Sequence, residues 1–473
     1  MWGEGNIYVD QYDATVDFFG ASYLALTMYS SDIGATSELW SLHPDHVSDA
    51  GDDVFLSTAL FGTHTGDAGD VVSSVNSSAR VTVDLLGNYG IGGTALGDTF
   101  TGIVNLRGSE SDDELTGNAA NNTLQGWLGD DLIEGADGDD FVWGGGLGFE
   151  DFYTDWLYGG GTGWLYGGGG NDTIDGGEGD DTLEGGWGDD SLYGGQGNDY
   201  LVSDGGDDWA WGGLGDDSFF GGDGADALQG EAGDDTLWGS VGNDSLYGGA
   251  GADALQGEAG DDTAWGGRGA DWLAGGTGND VLYGGESGTV DGDTAADTLS
   301  GYDGNDALTG GAGNGKLYGE DDTDVLSGQT GDDRLSGGSA GDTLQGGARV
   351  DSLDGGGDGK DRLTGRAGRD TFIFTAPSGS TKALAGRDAI MDFSQAQNDR
   401  VDLRTIDAIA GTGANDAFNF MDTQVFSHTA GELRYEVIAG AAHIPGDVDG
   451  DGVTDFQIEL DLISVMDSGD FLL

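Results

Sequence analysis

The chain has no cysteine, three prolines, and 15 basic residues against 88 acidic ones. Without cysteine there is no disulfide framework and no thiolate metal site. The shortage of bases leaves a formal net charge of −73. Nucleic acid and anionic membrane surfaces are poor partners for such a chain. No run approaches the roughly 18 apolar residues that a membrane span requires. The amino-terminal stretch MWGEGNIYVDQ has no basic n-region, the first cation being Arg80, so no Sec-type cleavable signal is expected there.

What is abundant pulls in two directions. Glycine contributes 98 of 473 residues, and it is the costliest residue to order. Glycine and charge together favour disorder. Yet 12 Trp, 15 Tyr and 18 Phe are too many aromatics for a solvated acidic tail. The composition describes a chain that stays disordered until a cation reaches it.

An internal period shows where the cation goes. From Gly167 to Tyr283, thirteen nine-residue units run without a slip, each with aspartate sixth. These are Asp172, Asp181, Asp190, Asp199, Asp208, Asp217, Asp226, Asp235, Asp244, Asp253, Asp262, Asp271 and Asp280. The eighth residue is leucine, or Ile174, Phe219, Ala210 or Ala264. An earlier run from Gly108 gives Asp113, Asn122, Asp131 and Asp140. A later run from Gly292 gives Asp297, Asp306, Asp324, Asp333, Asp342 and Asp351, with Gly315 as its one gap. Asp361 and Asp370 follow in looser units. Segments 224–236 and 251–263 are identical, GADALQGEAGDDT, which points to duplication of a three-unit block.

Each x-Leu-x triplet alternates out, in, out, as a short strand does. The glycine-rich hexad between triplets supplies residues that tolerate the backbone of tight turns. Two strands and two turns make a coil of 18 residues, and stacked coils make parallel strands around a thin leucine interior. The expected class is therefore all-β: a parallel β-roll solenoid of nonapeptide repeats with a β-rich carboxyl-terminal cap. Thin layers of Leu and Gly bury too little to offset the ordering of so much glycine. The aspartates close that gap. Each turn offers one carboxylate and several carbonyl oxygens, and the next coil repeats the set about 4.8 Å away. Such an all-oxygen cage suits Ca²⁺ better than Mg²⁺, which holds its waters, or Zn²⁺, which seeks His or Cys. The aspartates of these runs are the candidate metal ligands, and multiple Ca²⁺ ions are the expected cofactor.

The pattern GGxGxDxUx, as in GGTGNDVLY at 275–283, resembles the RTX (repeats-in-toxin) family of calcium-binding repeats over about 108–374. That resemblance implies calcium held between repeats and folding triggered outside the cell. Register is expected to break over 144–166 and 284–291, and Gly315 to weaken one site. Segment 81–118 resembles the strands that lead into such arrays. The role of residues 1–80 is not readable, although Ile7-Tyr8-Val9 and Val54-Phe55-Leu56 alternate like strands.

Beyond Arg369 the texture changes, and 12 of the 15 cations lie after residue 315. RDTFIFTAPSGST, GRDAIMDFSQAQNDRVDL, GDVDGDGVTDFQIEL and the terminal SGDFLL resemble the carboxyl-terminal domain of serralysin-type metalloproteases. The resemblance implies a cap on the roll and an uncleaved signal for the type I secretion machinery. Three regions are expected: 1–107, the array at 108–374, and 375–473. In GDVDGDGVTD, Asp447, Asp449, Asp451 and Asp455 match the start of an EF-hand-like loop. Ile458 stands where that loop needs Glu, leaving a calcium loop or an acidic turn.

Protease chemistry would need HExxH, and none of His43, His46, His64, His428 and His443 lies in one. The Gly337–Gly341 match to GxSxG falls inside two repeats, where composition alone explains it. The expected function is a secreted, calcium-folded, non-catalytic roll for extracellular binding or surface assembly. Its candidate partners are the export machinery and an extracellular polysaccharide or further copies of itself. The alternatives are a secretion and stability portion related to a secreted hydrolase, and a sugar-active enzyme with its site in 1–107. Tyr193, Trp211, Tyr247, Trp265 and Tyr283 recur on one side at steps of 18, with Gln229 among them. They read as a self-stacking ladder or as a sugar-binding stripe.

Overall fold

A computed structural model describes residues 71–473 except 75–76, 78, 92–98, 139, 145–154, 286–293, 358, 384–385, 410–414 and 462. It also describes the short strands 17–18, 21–22, 54–55 and 63–65. His43, His46 and Ile7-Tyr8-Val9 lie outside the described residues. The fold is a parallel β-solenoid of the roll type. The chain divides into two compact units, Met1–Trp187 and Gly188–Leu473.

In the first unit, strands pair in parallel with the strand one coil further on, as expected from the 18-residue coil. Glu114–Thr116 pairs with Leu132–Glu134, and Asn105–Arg107 with Thr123–Gln125. Leu115, Leu124, Ile133, Val142, Leu157 and Leu165 point inward and are buried. At the start of this unit Thr82–Asp84 pairs in parallel with Glu114–Thr116 and antiparallel with Tyr89–Ile91. Val54–Phe55 pairs with Val71–Ser73, so that expected strand is present. The register break at 144–166 is narrower than its sequence indicates. Trp156–Tyr158 pairs with Leu132–Glu134, and Trp164–Gly169 begins against Phe141–Trp143, both in register.

The second unit carries two rows of parallel strands. One row includes Ser191–Gln196, Trp209–Leu214, Ala227–Ala232, Ser245–Ala250 and Thr263–Arg268. The other includes Tyr200–Gly205, Ser218–Asp223, Thr236–Val241, Ala254–Ala259 and Trp272–Thr277. Across the 284–291 insertion the register resumes, with Val281–Tyr283 pairing Ala307–Thr309.

These strands are six residues long where the sequence indicated three. They run on through the first half of the glycine-rich hexad, as in Thr236–Val241. Pairing persists there, with Gly213 opposite Glu231. The chain bends at the second position of the unit, where even Glu231, Ser240 and Glu258 take φ of 74°, 83° and 78°. At the fourth position some coils pack too closely for any side chain. Gly242 has φ of 147°, and a Cβ there would collide with the Gly224 carbonyl.

The last hundred residues extend both rows with further strands. Ala389–Ile390 pairs with Arg362–Ala367 and with Phe456–Leu460. Arg400–Asp402 pairs with Thr371–Ile373 and with Phe471–Leu472. Ala441–Asp447 runs antiparallel to Phe456–Leu460. Strands thus cover Thr371–Ile373 and Phe456–Leu460. Among the described residues no helix is long and apolar enough to cross a membrane.

Candidate metal centre

The period places one aspartate at the end of every turn, just before a strand, where its side chain folds back under the turn. All the repeat aspartates from Asp113 to Asp370 named above are buried, most at 0–3 % exposure. Their two oxygens do different work. One accepts the backbone N–H of the equivalent residue a coil earlier: Asp226 N donates to Asp244 Oδ1 at 2.8 Å, and Asp244 N to Asp262 Oδ1 at 2.8 Å. The same bond recurs from Asp190 to Asp208 at 2.7 Å and from Asp333 to Asp351 at 2.9 Å.

The second oxygen is the informative one. Oδ2 of Asp208, Asp217, Asp226, Asp235, Asp244, Asp253, Asp262 and Asp280 is buried with no hydrogen-bond partner. So is Oδ2 of Asp306, Asp324, Asp333, Asp342, Asp351, Asp361 and Asp370. A buried, unpartnered carboxylate oxygen is strongly unfavourable. It points into a space that only glycine leaves open. A Cβ on Gly221 would lie 2.5 Å from Asp226 Oδ2 and 2.6 Å from the Gly239 carbonyl oxygen. Carboxylate from one coil and carbonyl from the next thus face a common gap, a donor set of hard oxygens that fits calcium.

Electrostatics agrees with geometry. Burial, reinforced by neighbouring carboxylates, pushes Asp226 and Asp244 up to about 7 and Asp361 to about 8. Asp253 and Asp333 rise to about 6, with burial again the main cause. A set of acids held in this way requires either protons or cations at neutral pH.

Asp113 differs from the others. Its Oδ1 accepts Val81 N at 2.8 Å and Ser109 Oγ at 3.0 Å, and its Oδ2 accepts Ser109 N. At the gap, Gly315 occupies an aspartate position and donates its own N–H to Asp333 Oδ1 at 2.8 Å.

Sequence reading missed three carboxylates that make the same Oδ1 bond to a coil before them. Asp155 accepts Asp131 N at 2.9 Å, Asp388 accepts Asp361 N at 3.0 Å, and Asp399 accepts Asp370 N at 3.0 Å. Insertions hide them from a nine-residue count, although DWLYGG at 155–160 keeps the local pattern of aspartate, leucine and glycine pair. Also missed was a second ladder at the fifth position, on the outer edge of the turns. Asp216 N donates to Asn198 Oδ1 at 2.9 Å, and Asp234 N to Asp216 Oδ1 at 2.8 Å.

Elsewhere, Asp447, Asp449 and Asp455 form the one group of three potential ligands found among the described residues, their atoms within 4.8 Å. Gly450 N and Gly452 N donate to Asp447 at 2.7 and 2.9 Å, and Val448 N donates to Asp455 at 2.7 Å. The loop's own N–H groups thus engage its carboxylates. The strand Phe456–Leu460 follows. The aromatic stripe stacks on itself. Tyr193 and Trp211 lie 4.7 Å apart and Tyr247 and Trp265 4.3 Å apart, each pair within 2° of parallel.

Parallel coils, a leucine interior and a column of orphaned carboxylate oxygens define a calcium-binding β-roll. The RTX calcium-binding nonapeptide repeat matches residues 106–146 and then overlapping segments from 157 to 372, more than half of the chain. The chain belongs to that family, and its repeats bind calcium. No curated protein matches it.

Proposed function

We propose that the chain is a secreted protein that folds on extracellular calcium and serves non-catalytic binding or surface assembly outside the cell. The observation that carries this reading is the column of buried, unpartnered Oδ2 atoms from Asp208 to Asp370. These aspartates are the proposed ligands, together with Asp113, Asp131, Asp140, Asp172, Asp181, Asp190, Asp199, Asp271 and Asp297, completed by turn carbonyls. A bound Ca²⁺ supplies positive charge and oxygen coordination. The chain's own part, seen at Asp226 and Asp244, is to hold the carboxylate by Oδ1 and leave Oδ2 facing the gap.

Where free calcium is scarce, the carboxylates repel and the glycine-rich chain stays extended enough to thread an exporter. Where calcium is plentiful, adjacent coils are tied together. The array at 108–374 is the calcium-dependent part in this reading, and 375–473 is a serralysin-like cap carrying a type I secretion signal. Truncation tests the export step. Removing residues 414–473 should retain the protein inside a cell that has the type I machinery, and removing residues 2–30 should not. Export of the first truncation by that route would overturn this part of the proposal.

A further inference from the structure

One stretch of the roll's outer face combines exposed aromatic rings with few charges. On the neighbouring strands Ser191–Gln196, Trp209–Leu214 and Ala227–Ala232, the outward residues include a single charge, Glu231. The strand faces in this window are therefore nearly neutral, the acids lying in the turns between them. They are also aromatic. Trp209 is 55 % exposed, Leu214 58 % and Tyr193 39 %.

Ring faces separate this window from the ladder beside it. In the ladder, rings cover one another, as Tyr247 and Trp265 do at 4.3 Å. Trp209 instead has Ser191 and Ala227 as its registered neighbours, both too small to cover an indole. It leans on Trp211 along its own strand, at 5.7 Å and 28°, and leaves the rest of its surface to solvent. Trp211 is followed in register by Gln229, which ends its stack with an amide. Beyond Gln229, a shallow groove of about 440 Å³ continues on the same face, lined by Glu231, Tyr247, Gly249, Trp265 and Arg268 among others. Glycine floors it, and one acid and one base line it.

We infer that this face, from Trp209 across Gln229 into the groove, is a docking site for a neutral polysaccharide. An uncovered indole offers an apolar platform to the C–H face of a sugar ring, and amide and backbone groups beside it meet hydroxyls. Charge selects the occupant. A chain of net charge −73 repels anionic polymers and further copies of itself. A neutral glycan is not repelled, and it can lie along a groove that crosses several coils. The inference rests on the reading of the roll as a non-catalytic binding protein and supplies its ligand class.

The test is affinity electrophoresis of the full chain in calcium through gels containing hydroxyethylcellulose, laminarin or dextran, with hyaluronate as an anionic control. At least one neutral glucan should retard the protein, and hyaluronate should not. Trp209→Ala should weaken retardation about fivefold to tenfold, the scale of one aromatic contact. Leu214→Asp, which adds a charge to the window, should weaken it as well. Trp272→Ala should change nothing, because that indole, although flanked by Ala254 and Thr298, has no second ring beside it. The calcium midpoint by circular dichroism should match wild type in all three variants. Retardation by none of the neutral glucans, or by hyaluronate alone, would overturn the inference. So would a calcium-dependent dimer, seen by sedimentation, that Trp209→Ala dissolves. A protein that still folds on calcium but ignores every glucan would leave the calcium-folding reading standing.

Discussion

The repeats and the carboxyl-terminal segment treat buried acid in opposite ways. In the repeats, Asp226, Asp244 and Asp351 each leave one oxygen without a protein partner. Beyond the array, the chain provides its own donors. Asp399 accepts Asp370 N at 3.0 Å and Ser394 N at 2.8 Å, so both its oxygens are engaged. Arg404 Nη2 lies 2.6 Å from Asp402 Oδ2, and Arg434 Nη2 lies 2.9 Å from Glu436. The Arg404 hydrogen bond holds Asp402 below the usual carboxylate range, whereas burial lifts Asp244 to about 7. The apolar interior differs as well. The roll buries one leucine-sized residue per strand, while Phe418, Phe456 and Phe471 are all buried in the segment that ends the chain. Around Asp402 and Glu436 the counter-charge comes from the chain itself, whereas burial leaves Asp226 and Asp244 without one.

The largest contrast concerns backbone space. Gly242→Ala places a methyl group inside the Gly224 carbonyl and should cost several kcal/mol, enough to abolish cooperative calcium-induced folding. Gly440→Ala, at φ of 94° with nothing within 4 Å, should cost only about 1–2 kcal/mol of backbone strain. Calcium titrations of the two variants by circular dichroism distinguish them. Equal losses would mean that stacking of the coils does not set the glycines of the roll.

Next comes pH. The repeat carboxyls titrate near 6–8 in the folded, ion-free roll, above the ordinary aspartate value. The folded form therefore binds more protons than the unfolded chain between those values. Ion-free stability from this source is fully present below about pH 4 and is lost as pH rises through 6–8. Calcium needs the ionised form, so its midpoint should rise at least about tenfold from pH 8 to pH 6. Asp402 has no part in this, since its pKa is lowered. A midpoint that stays flat over that range would contradict the burial of the repeat carboxylates.

A smaller effect separates single residues. Asp244→Ala should raise the calcium midpoint by about threefold to tenfold, the loss of one ligand in a coupled stack. It should not destabilise the ion-free chain, because it removes an uncompensated charge. Asp402→Ala should leave the midpoint within about twofold, since its partner Arg404 comes from the protein. Isothermal titration of both variants measures the difference.

The degree to which each region could be read from sequence follows the same division. Asp172 to Asp280 and the buried Leu183 to Leu282 were legible because every coil meets a near-copy of itself 18 residues away. The strand length was not, because Glu231 and Ser240 carry left-handed backbone at a position where glycine was the visible signal. Asp155, Asp388 and Asp399 were obscured for a different reason. Stacking fixes their spacing in space, but insertions lengthen the chain between them and their partners to 24, 27 and 29 residues. Ser394 and Arg404, the donors that complete Asp399 and Asp402, lie in loops without a period, so nothing in the sequence announced them.

The central claim is that calcium supplies the counter-charge the repeats lack. Small-angle scattering with circular dichroism on the full chain, in EGTA and then with added calcium at neutral pH, tests it most directly. The account predicts an expanded chain without the roll's β signal in EGTA, and cooperative collapse with gain of that signal on adding calcium. A chain in EGTA as compact and as rich in β-structure as the calcium form would contradict it.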